Sequence, residues 1–126
     1  MKKQILIVED NEKNMKLARD LLEAKGYAAL AAVNGVDGVR LAKEHTPDLV
    51  LMDIQLPDIN GIEAFEQLRA DPRTAAIPIV AFTASVTPTD RTRVMQAGFD
   101  GFLSKPINIK EFLATIKRMV EGGGQT

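Results

Sequence analysis

The sequence predicts an α/β fold in which helices cover both faces of a doubly wound, five-stranded parallel sheet. Short apolar segments alternate about five times with longer amphipathic segments. A strand-helix unit repeated in this way builds a parallel sheet, because its right-handed crossovers place helices on both faces. The amphipathic segments also open with residues suited to cap a helix. The chain of 126 residues is long enough to bury the core of one such domain.

The strand candidates are five short runs rich in apolar residues. They span residues 4–8, 27–33, 48–52, 77–82 and 101–104. The first and third runs are almost continuously apolar, which is typical of central strands in a parallel sheet. Four methionines fall on the predicted apolar faces, where they are expected to fill the core. They are Met15, Met52, Met95 and Met119.

The helix candidates lie between these runs and after the last of them. The final segment shows the clearest helical spacing. Its apolar residues are Ile109, Phe112, Leu113, Ile116, Met119 and Val120. Each helix candidate begins with a side-chain acceptor and has a polar or acidic residue three places later, which is the pattern of an N-cap. These pairs are Asn11/Asn14, Asn34/Asp37, Asn60/Glu63, Thr87/Asp90 and Asn108/Glu111.

Composition and charge exclude several classes of protein. The formal net charge is -1 at pH 7, so no strong positive field attracts nucleic acid or an acidic membrane surface. No apolar run approaches the roughly 20 residues of a membrane span, and we expect a cytoplasmic protein. The sequence has no cysteine, which excludes disulfides and thiolate metal sites. We expect residues 1–121 to form the domain and residues 122–126 to form a flexible tail.

Three carboxylates occur where predicted strands end. Glu9 and Asp10 follow the first strand, and Asp53 follows the third. Because parallel strands end at one edge of a sheet, these groups should lie close together, where mutual repulsion raises at least one pKa unless a cation neutralises them. Magnesium prefers oxygen ligands, and we expect Asp10 and Asp53 to bind it directly. Glu9 would act through a bound water, and Gln55 would add its backbone carbonyl oxygen.

The fourth and fifth strands bring a hydroxyl and an ammonium group to the same edge. Thr83 follows the fourth predicted strand, and Lys105 follows the fifth. Asp53 is then the candidate nucleophile, and Thr83 and Lys105 are candidates to bind the transferred group. This set suits phosphoryl transfer, whose transition state requires mainly positioning and positive charge. A carboxylate can accept the phosphoryl group as an acyl phosphate.

Taken together, these residues resemble the receiver domains of response regulators in two-component signalling, over nearly the whole chain. The resemblance rests on Glu9-Asp10, Asp53 within the segment 51–57, Gly61, Thr83-Ala84 and Lys105-Pro106. Segments 8–17 and 20–27 look especially like stand-alone regulators of the DivK group. The resemblance implies a flavodoxin-like, CheY-like sheet with strand order 2-1-3-4-5 and five helices.

The resemblance also implies a function. Asp53 would accept a phosphoryl group from a histidine kinase or histidine phosphotransfer protein in a magnesium-dependent reaction. The domain would not be an enzyme; it would only support its own phosphorylation and slow dephosphorylation. The signal would reach a downstream protein through the face formed by helix 4, strand 5 and helix 5. Thr83 and Phe102 would form the switch, with Phe102 where the family often has tyrosine. A cis peptide bond would join Lys105 to Pro106. We expect a monomer, with a weak dimer as the alternative, and no binding of nucleic acid or membrane.

The sequence leaves three alternatives open. A receiver module excised from a hybrid kinase would carry similar first helices. A flavin-binding electron carrier shares the fold class, but its phosphate loop would need hydroxyl groups and glycines where residues 9–12 are mostly acidic. An aspartate-nucleophile phosphatase would need a second acid two residues after Asp53, where this chain has Gln55.

Overall fold

Strands and helices alternate along the whole described chain. The structure, a computed structural model, describes residues 2–84 and 87–121 except for the side chain of Asp90. The strands are β1 (Gln4–Val8), β2 (Ala28–Ala32), β3 (Leu49–Met52), β4 (Ile79–Thr83) and β5 (Gly101–Ser104). The helices are α1 (Glu12–Ala24), α2 (Gly35–His45), α3 (Gly61–Ala70), α4 (Pro88–Ala97) and α5 (Ile109–Val120). The predicted tail, residues 122–126, lies outside the described residues.

The five strands form one parallel sheet in the order β2-β1-β3-β4-β5. This order and the five helices confirm the predicted fold class. Because the strands are parallel, all their carboxyl ends lie at one edge of the sheet. The strand order reverses between β1 and β3, and crevices that bind ligands form at such reversals.

Three strands begin later than predicted, namely β2, β3 and β4. β2 begins after Tyr27, whose amide donates to the carbonyl oxygen of Leu22 at 3.0 Å in the turn that follows α1. β4 begins after Ile77, whose amide donates to the carbonyl oxygen of Thr74 at 3.1 Å. Both amides therefore serve turns and are not available to the sheet.

The core consists of two hydrophobic layers, one on each face of the sheet. α1 and α5 cover one face, and α2, α3 and α4 cover the other. Successive residues of β1 alternate between the layers, so that Ile7 packs under α1 and α5 while Val8 packs under α2. Met15 and Met52 are buried as expected, whereas Met95 is 45% exposed and that prediction was wrong. Met95 lies on the outer side of α4, which packs only part of its surface on the sheet.

Asparagine caps start four of the five helices. Asn11, Asn34, Asn60 and Asn108 each accept a hydrogen bond from the backbone amide three residues later. These contacts confirm the predicted caps and satisfy amides that the first helical turn leaves without partners. α4 begins at Pro88, directly after Thr87, but the side chain of Asp90 lies outside the described part of the chain. Among the helices described, none combines the length and apolarity of a membrane span.

Candidate functional site

The candidate site lies at the carboxyl edge of the sheet, above the point between β1 and β3 where the strand order reverses. Val8 and Met52 are register partners at the ends of these strands. Glu9 and Asp53 follow them and therefore lie side by side. The backbone amide of Asp53 donates to the carbonyl oxygen of Val8 at 3.0 Å, which ties the start of the β3–α3 loop to β1. The two central strands thus deliver two neighbouring carboxylates.

β4 and β5 bring a hydroxyl and an ammonium group to the same edge. Thr83 is the last residue of β4 and is buried, and its register partner in β5 is Ser104. Lys105 follows Ser104, and its backbone amide donates to the carbonyl oxygen of Thr83 at 3.0 Å. The peptide bond between Lys105 and Pro106 is cis. Four strand ends therefore supply the side chains of the site.

The ammonium group of Lys105 pairs with two buried carboxylates. Nζ lies 2.9 Å from Oδ2 of Asp53 and also pairs with Oε1 of Glu9. The contact with Glu9 is ionic, since Oε1 receives no well-directed hydrogen bond from the described residues. The ring of Phe82 lies next to the same ammonium group, with its centroid 4.9 Å from Nζ. These contacts hold Lys105 inside the site, where its side chain is only 9% exposed.

Glu9 is fully buried, and burial raises the pKa of its carboxyl group. The negative charge of Asp53 raises this pKa further. Lys105 lowers it, as does the backbone amide of Asn11, which donates to Oε2 at 3.0 Å. The net direction is upward because removal from water disfavours the charged form most strongly. The sequence predicted a raised pKa from the crowding of carboxylates, but burial is the larger cause.

The three carboxylates form a cluster that suits a hard cation. One oxygen from each of Glu9, Asp10 and Asp53 lies within 4.8 Å of the others. Glu9 and Asp53 are buried, whereas Asp10 is exposed, so the cluster opens to solvent on one side. Lys105 is shared between Glu9 and Asp53, and the three carboxylates together outnumber this single cation. All the candidate ligands are oxygen atoms, so the residues present fit a magnesium ion.

The loop that follows Asp53 is held close to it. The backbone amide of Gln55 donates to Oδ1 of Asp53 at 3.0 Å. Farther along, the amide of Gly61 donates to the carbonyl oxygen of Ile54 at 2.8 Å. A Cβ atom at Gly61 would overlap the carbonyl oxygen of Asp53 and lie 2.7 Å from the Cα of Ile54. Glycine is therefore required for α3 to begin this close to the candidate nucleophile.

Thr83 and Phe102 lie on the same face of the sheet. Thr83 is two residues after Ala81, which belongs to the layer under α2, α3 and α4, and Ala81 is the register partner of Phe102. Because side chains alternate along a strand, both Thr83 and Phe102 point toward α4. The guanidinium carbon of Arg91 lies 5.0 Å from the ring centroid of Phe102.

A cavity of about 300 Å³ opens beside Thr83, between the β3–α3 loop and α4. Its lining includes Gln55, Thr83, Arg93 and Val94. The cavity leaves room next to the site for an added group or for a side chain that moves. Sequence reasoning missed Arg93, because its place at the cavity depends on how α4 packs and no local pattern indicates it.

Comparison with known protein sequences identifies the family that the sequence resembles. The chain matches the response regulator receiver domain over residues 5–117. It is 48% identical over 117 residues to the polar-differentiation response regulator DivK of Brucella anthropi. This alignment covers 93% of this chain and 95% of that protein. DivK of Brucella ovis is 47% identical over the same shares of both chains. These matches confirm the predicted likeness to the DivK group.

Solved structures agree. One is the receiver domain of the sensor histidine kinase PA1611 from Pseudomonas aeruginosa PAO1, and that structure holds a magnesium ion in its active site cleft. It superimposes on this chain with a TM-score of 0.89 at 32% sequence identity. The alignment covers 96% of this chain and 99% of that one. The signal receiver domain of a histidine kinase from Syntrophus aciditrophicus has a TM-score of 0.87 at 30% identity, covering 98% and 94%. The family match, the fold and the similar solved structures agree. The chain therefore belongs to the response regulator receiver domains of two-component signalling.

Proposed function

We propose that residues 1–121 form the receiver domain of a DivK-like response regulator, in which Asp53 accepts a phosphoryl group from a histidine kinase or a histidine phosphotransfer protein. The observation that carries this proposal is the setting of Asp53. Its buried carboxylate accepts from Gln55 on Oδ1 and from Lys105 on Oδ2, beside the carboxylate of Glu9. Donors on both oxygens hold the carboxylate in one orientation, which favours its attack on a bound donor.

In the proposed reaction, an oxygen of Asp53 attacks the phosphorus of a phosphohistidine. A P–O bond forms while the P–N bond breaks, and the imidazole leaves with the electron pair and takes up a proton. Lys105 and Thr83 then offer an ammonium and a hydroxyl group to the oxygens of the transferred group. Lys105 has to exchange part of its pairing with Glu9 and Asp53 for this new contact.

The acidic cluster is proposed to hold magnesium. Asp10 and Asp53 would bind it directly, Glu9 through a water molecule, and Gln55 through its backbone carbonyl oxygen. When bound, magnesium would neutralise these carboxylates and place positive charge beside the transferred phosphoryl group. The exposed position of Asp10 and the magnesium ion in the receiver domain from Pseudomonas aeruginosa support the assignment.

We propose that the signal leaves through the face formed by α4, β5 and α5, toward a downstream protein. Thr83 and Phe102 point to the same side of the sheet, and the cavity beside Thr83 gives a side chain room to move. A phosphoryl group adds charge and acceptor oxygens that can draw the hydroxyl of Thr83 toward Asp53. The ring of Phe102 would then turn inward and change the surface that α4 and β5 present.

The first test measures phosphorylation directly. The protein is incubated with acetyl phosphate and magnesium, and intact mass is measured for wild type, Asp53→Asn and Asp48→Asn. Asp48 is the matched control, because its carboxylate lies just before β3 and accepts from the amide of Gln4 at 2.8 Å, at the opposite edge of the sheet. Wild type and Asp48→Asn should each gain one phosphoryl group, and Asp53→Asn should gain none. An unchanged yield in Asp53→Asn would falsify the assignment of the phosphoacceptor.

A further inference from the structure

The side chain of Asp58 ties the β3–α3 loop to the start of α2. Oδ1 accepts the N–H of Gly35 at 2.8 Å, and Oδ2 accepts the N–H of Val36 at 2.9 Å. Both amides lie in the first turn of α2, where the helix itself offers them no partner. The positive end of the helix dipole also favours a carboxylate at this position. These hydrogen bonds, that of Val36 most, hold the pKa of Asp58 below its usual range.

The packing around this contact is close. A Cβ atom at Gly35 would overlap Cγ1 of Ile59 and lie 3.3 Å from Oδ1 of Asp58, so the loop rests directly on the helix backbone. α2 is fixed to the sheet in the same way, since a Cβ atom at Gly38 would lie 2.7 Å from Cγ2 of Val8. β1, α2 and the loop therefore form one continuous frame beside the candidate site.

Gln55 lies between the two anchored points of this loop. On one side, the amide of Gly61 bonds to the carbonyl oxygen of Ile54 at 2.8 Å. On the other side, Asp58 is bound to α2. A short segment held at both ends has few conformations, so the position of Gln55 depends on both anchors. The amide of Gln55 in turn orients Asp53.

We propose that Asp58 is a positioning residue for the Asp53 site. Its two hydrogen bonds to α2 hold Gln55 where the amide orients Asp53 and the carbonyl oxygen is available to magnesium. The inference rests on the proposed function, in which Gln55 is a magnesium ligand. Asp58 touches none of the reacting atoms and acts only through the loop. Its removal should therefore weaken cation binding although no ligand is lost.

The test compares two variants that each remove capping bonds from the same helical turn. Asp58→Ala frees the loop, whereas Asn34→Ala removes a bond that stays within α2, because the side chain of Asn34 accepts the N–H of Asp37 at 2.8 Å. Both should lower the melting temperature without magnesium. Magnesium affinity is measured from the amide NMR shifts of Asp53 and Gln55. Asp58→Ala should bind magnesium about tenfold more weakly, as is typical when a group that supports a ligand is lost, and Asn34→Ala should bind as wild type does.

A second readout does not require any variant. If cation binding and the contact of Asp58 with α2 support each other, their coupling is reciprocal. Magnesium should then slow the hydrogen exchange of the amides of Gly35 and Val36 in wild type. The amide of Asp37, which Asn34 caps, should exchange as before and serves as the internal control.

The outcomes separate this inference from the function on which it rests. If Asp58→Ala keeps wild-type affinity within about twofold while losing stability as Asn34→Ala does, Asp58 is only a helix cap and the inference is wrong. If Asp58→Ala does not fold, Asp58→Asn gives the same comparison, because it keeps the shape and one acceptor oxygen. If wild type shows no magnesium-dependent shift at Asp53 and gains no phosphoryl group, the proposed function fails and the inference fails with it.

Discussion

The guanidinium group of Arg91 lies over the ring of Phe102, with its central carbon 5.0 Å from the ring centroid. Arg91 belongs to α4 and Phe102 to β5, so the contact joins two elements of the proposed output face. A cation over an aromatic face at a partly exposed site stabilises by about 0.5–1 kcal/mol. The contact therefore favours the ring position seen here over an inward one.

Replacing Arg91 should raise the population of the inward position of the Phe102 ring. In Arg91→Ala the ring loses its cationic cover, so the inward form should gain population by about two- to fivefold, the factor that corresponds to the lost contact. Amide NMR spectra with and without beryllofluoride, a stand-in for the phosphoryl group, measure this. Without beryllofluoride, the Phe102 shift in the variant should already move toward the bound position. Arg19→Ala, which removes an exposed arginine from α1, is the control, and identical spectra for wild type and Arg91→Ala would contradict the prediction.

Thr83→Ala should accept a phosphoryl group but lose the conformational response of α4 and β5 to it. Asp53, the acidic cluster and Lys105 remain in this variant, so it should still accept a phosphoryl group. It lacks the hydroxyl group that, in the proposed switch, moves toward the phosphoryl group, so the shifts that beryllofluoride causes from Thr87 to Lys105 should be much smaller than in wild type. Thr83→Ser keeps the hydroxyl group and should respond as wild type does. Equal shifts in the alanine variant and wild type would show that the signal leaves the site by another route.

Asp10→Asn should reduce the response of stability to magnesium. A ligand that binds only the folded state at about 100 times its dissociation constant adds about 2.7 kcal/mol. Loss of the proposed direct ligand should reduce this gain, while the melting temperature without magnesium should rise because one of three clustered charges is gone. Thermal unfolding with and without magnesium tests both expectations. Asp20→Asn, at an exposed aspartate that pairs with Lys16 at 2.9 Å, is the control; a full magnesium response in Asp10→Asn would rule out Asp10 as a direct ligand.

Tyr27 should make stability depend on pH in the alkaline range. Its hydroxyl donates to Oε2 of Glu121 at 2.7 Å, and burial, together with that bond and the charge of Glu121, raises the pKa of Tyr27 to about 12. In the unfolded chain this pKa is about 10, so the folded state favours the neutral form. The contribution of Tyr27 is therefore complete below pH 10 and is lost as the pH rises toward 12.

The comparison of wild type with Tyr27→Phe isolates this group, because the chain contains one tyrosine. At neutral pH the variant should lose about 1 kcal/mol in the free energy of unfolding, the usual value of one hydrogen bond. Above pH 10 the difference between the two proteins should shrink. Urea unfolding at a series of pH values measures it, and a difference that stays constant up to pH 12 would contradict the prediction.

The features that were predictable from the sequence are local or depend on strand ends. An asparagine cap needs only the residue itself and the amide three places later, and the strands β1 and β3, buried apart from Gln4, appear as apolar runs. Glu9 and Asp53 follow from the same logic, since residues after parallel strands must meet at one edge. The proximity of Glu9 and Asp53 was therefore predictable from the sequence, whereas the place of Arg93 at the neighbouring cavity was not.

Contacts between elements that lie far apart in the sequence could not be predicted from it. Nothing near Asp58 indicates that its carboxylate reaches the start of α2, and nothing near Arg91 indicates that it covers Phe102. Met95 was misplaced because α4 has few apolar residues, so their spacing does not define its buried face. Such contacts depend on how the elements pack, which a pattern within one element does not contain.

The pairing of Lys105 with Asp53 also has a consequence for how the protein is made. The two residues lie 52 positions apart, and Lys105 follows β5, which lies at the edge of the sheet beside β4. During synthesis the acidic residues emerge long before this ammonium group, and buried carboxylates without it are strongly destabilising. Contacts across so long a stretch of chain also form late in folding. The candidate site is therefore complete only after β5 has joined the sheet and brought Lys105 to Asp53.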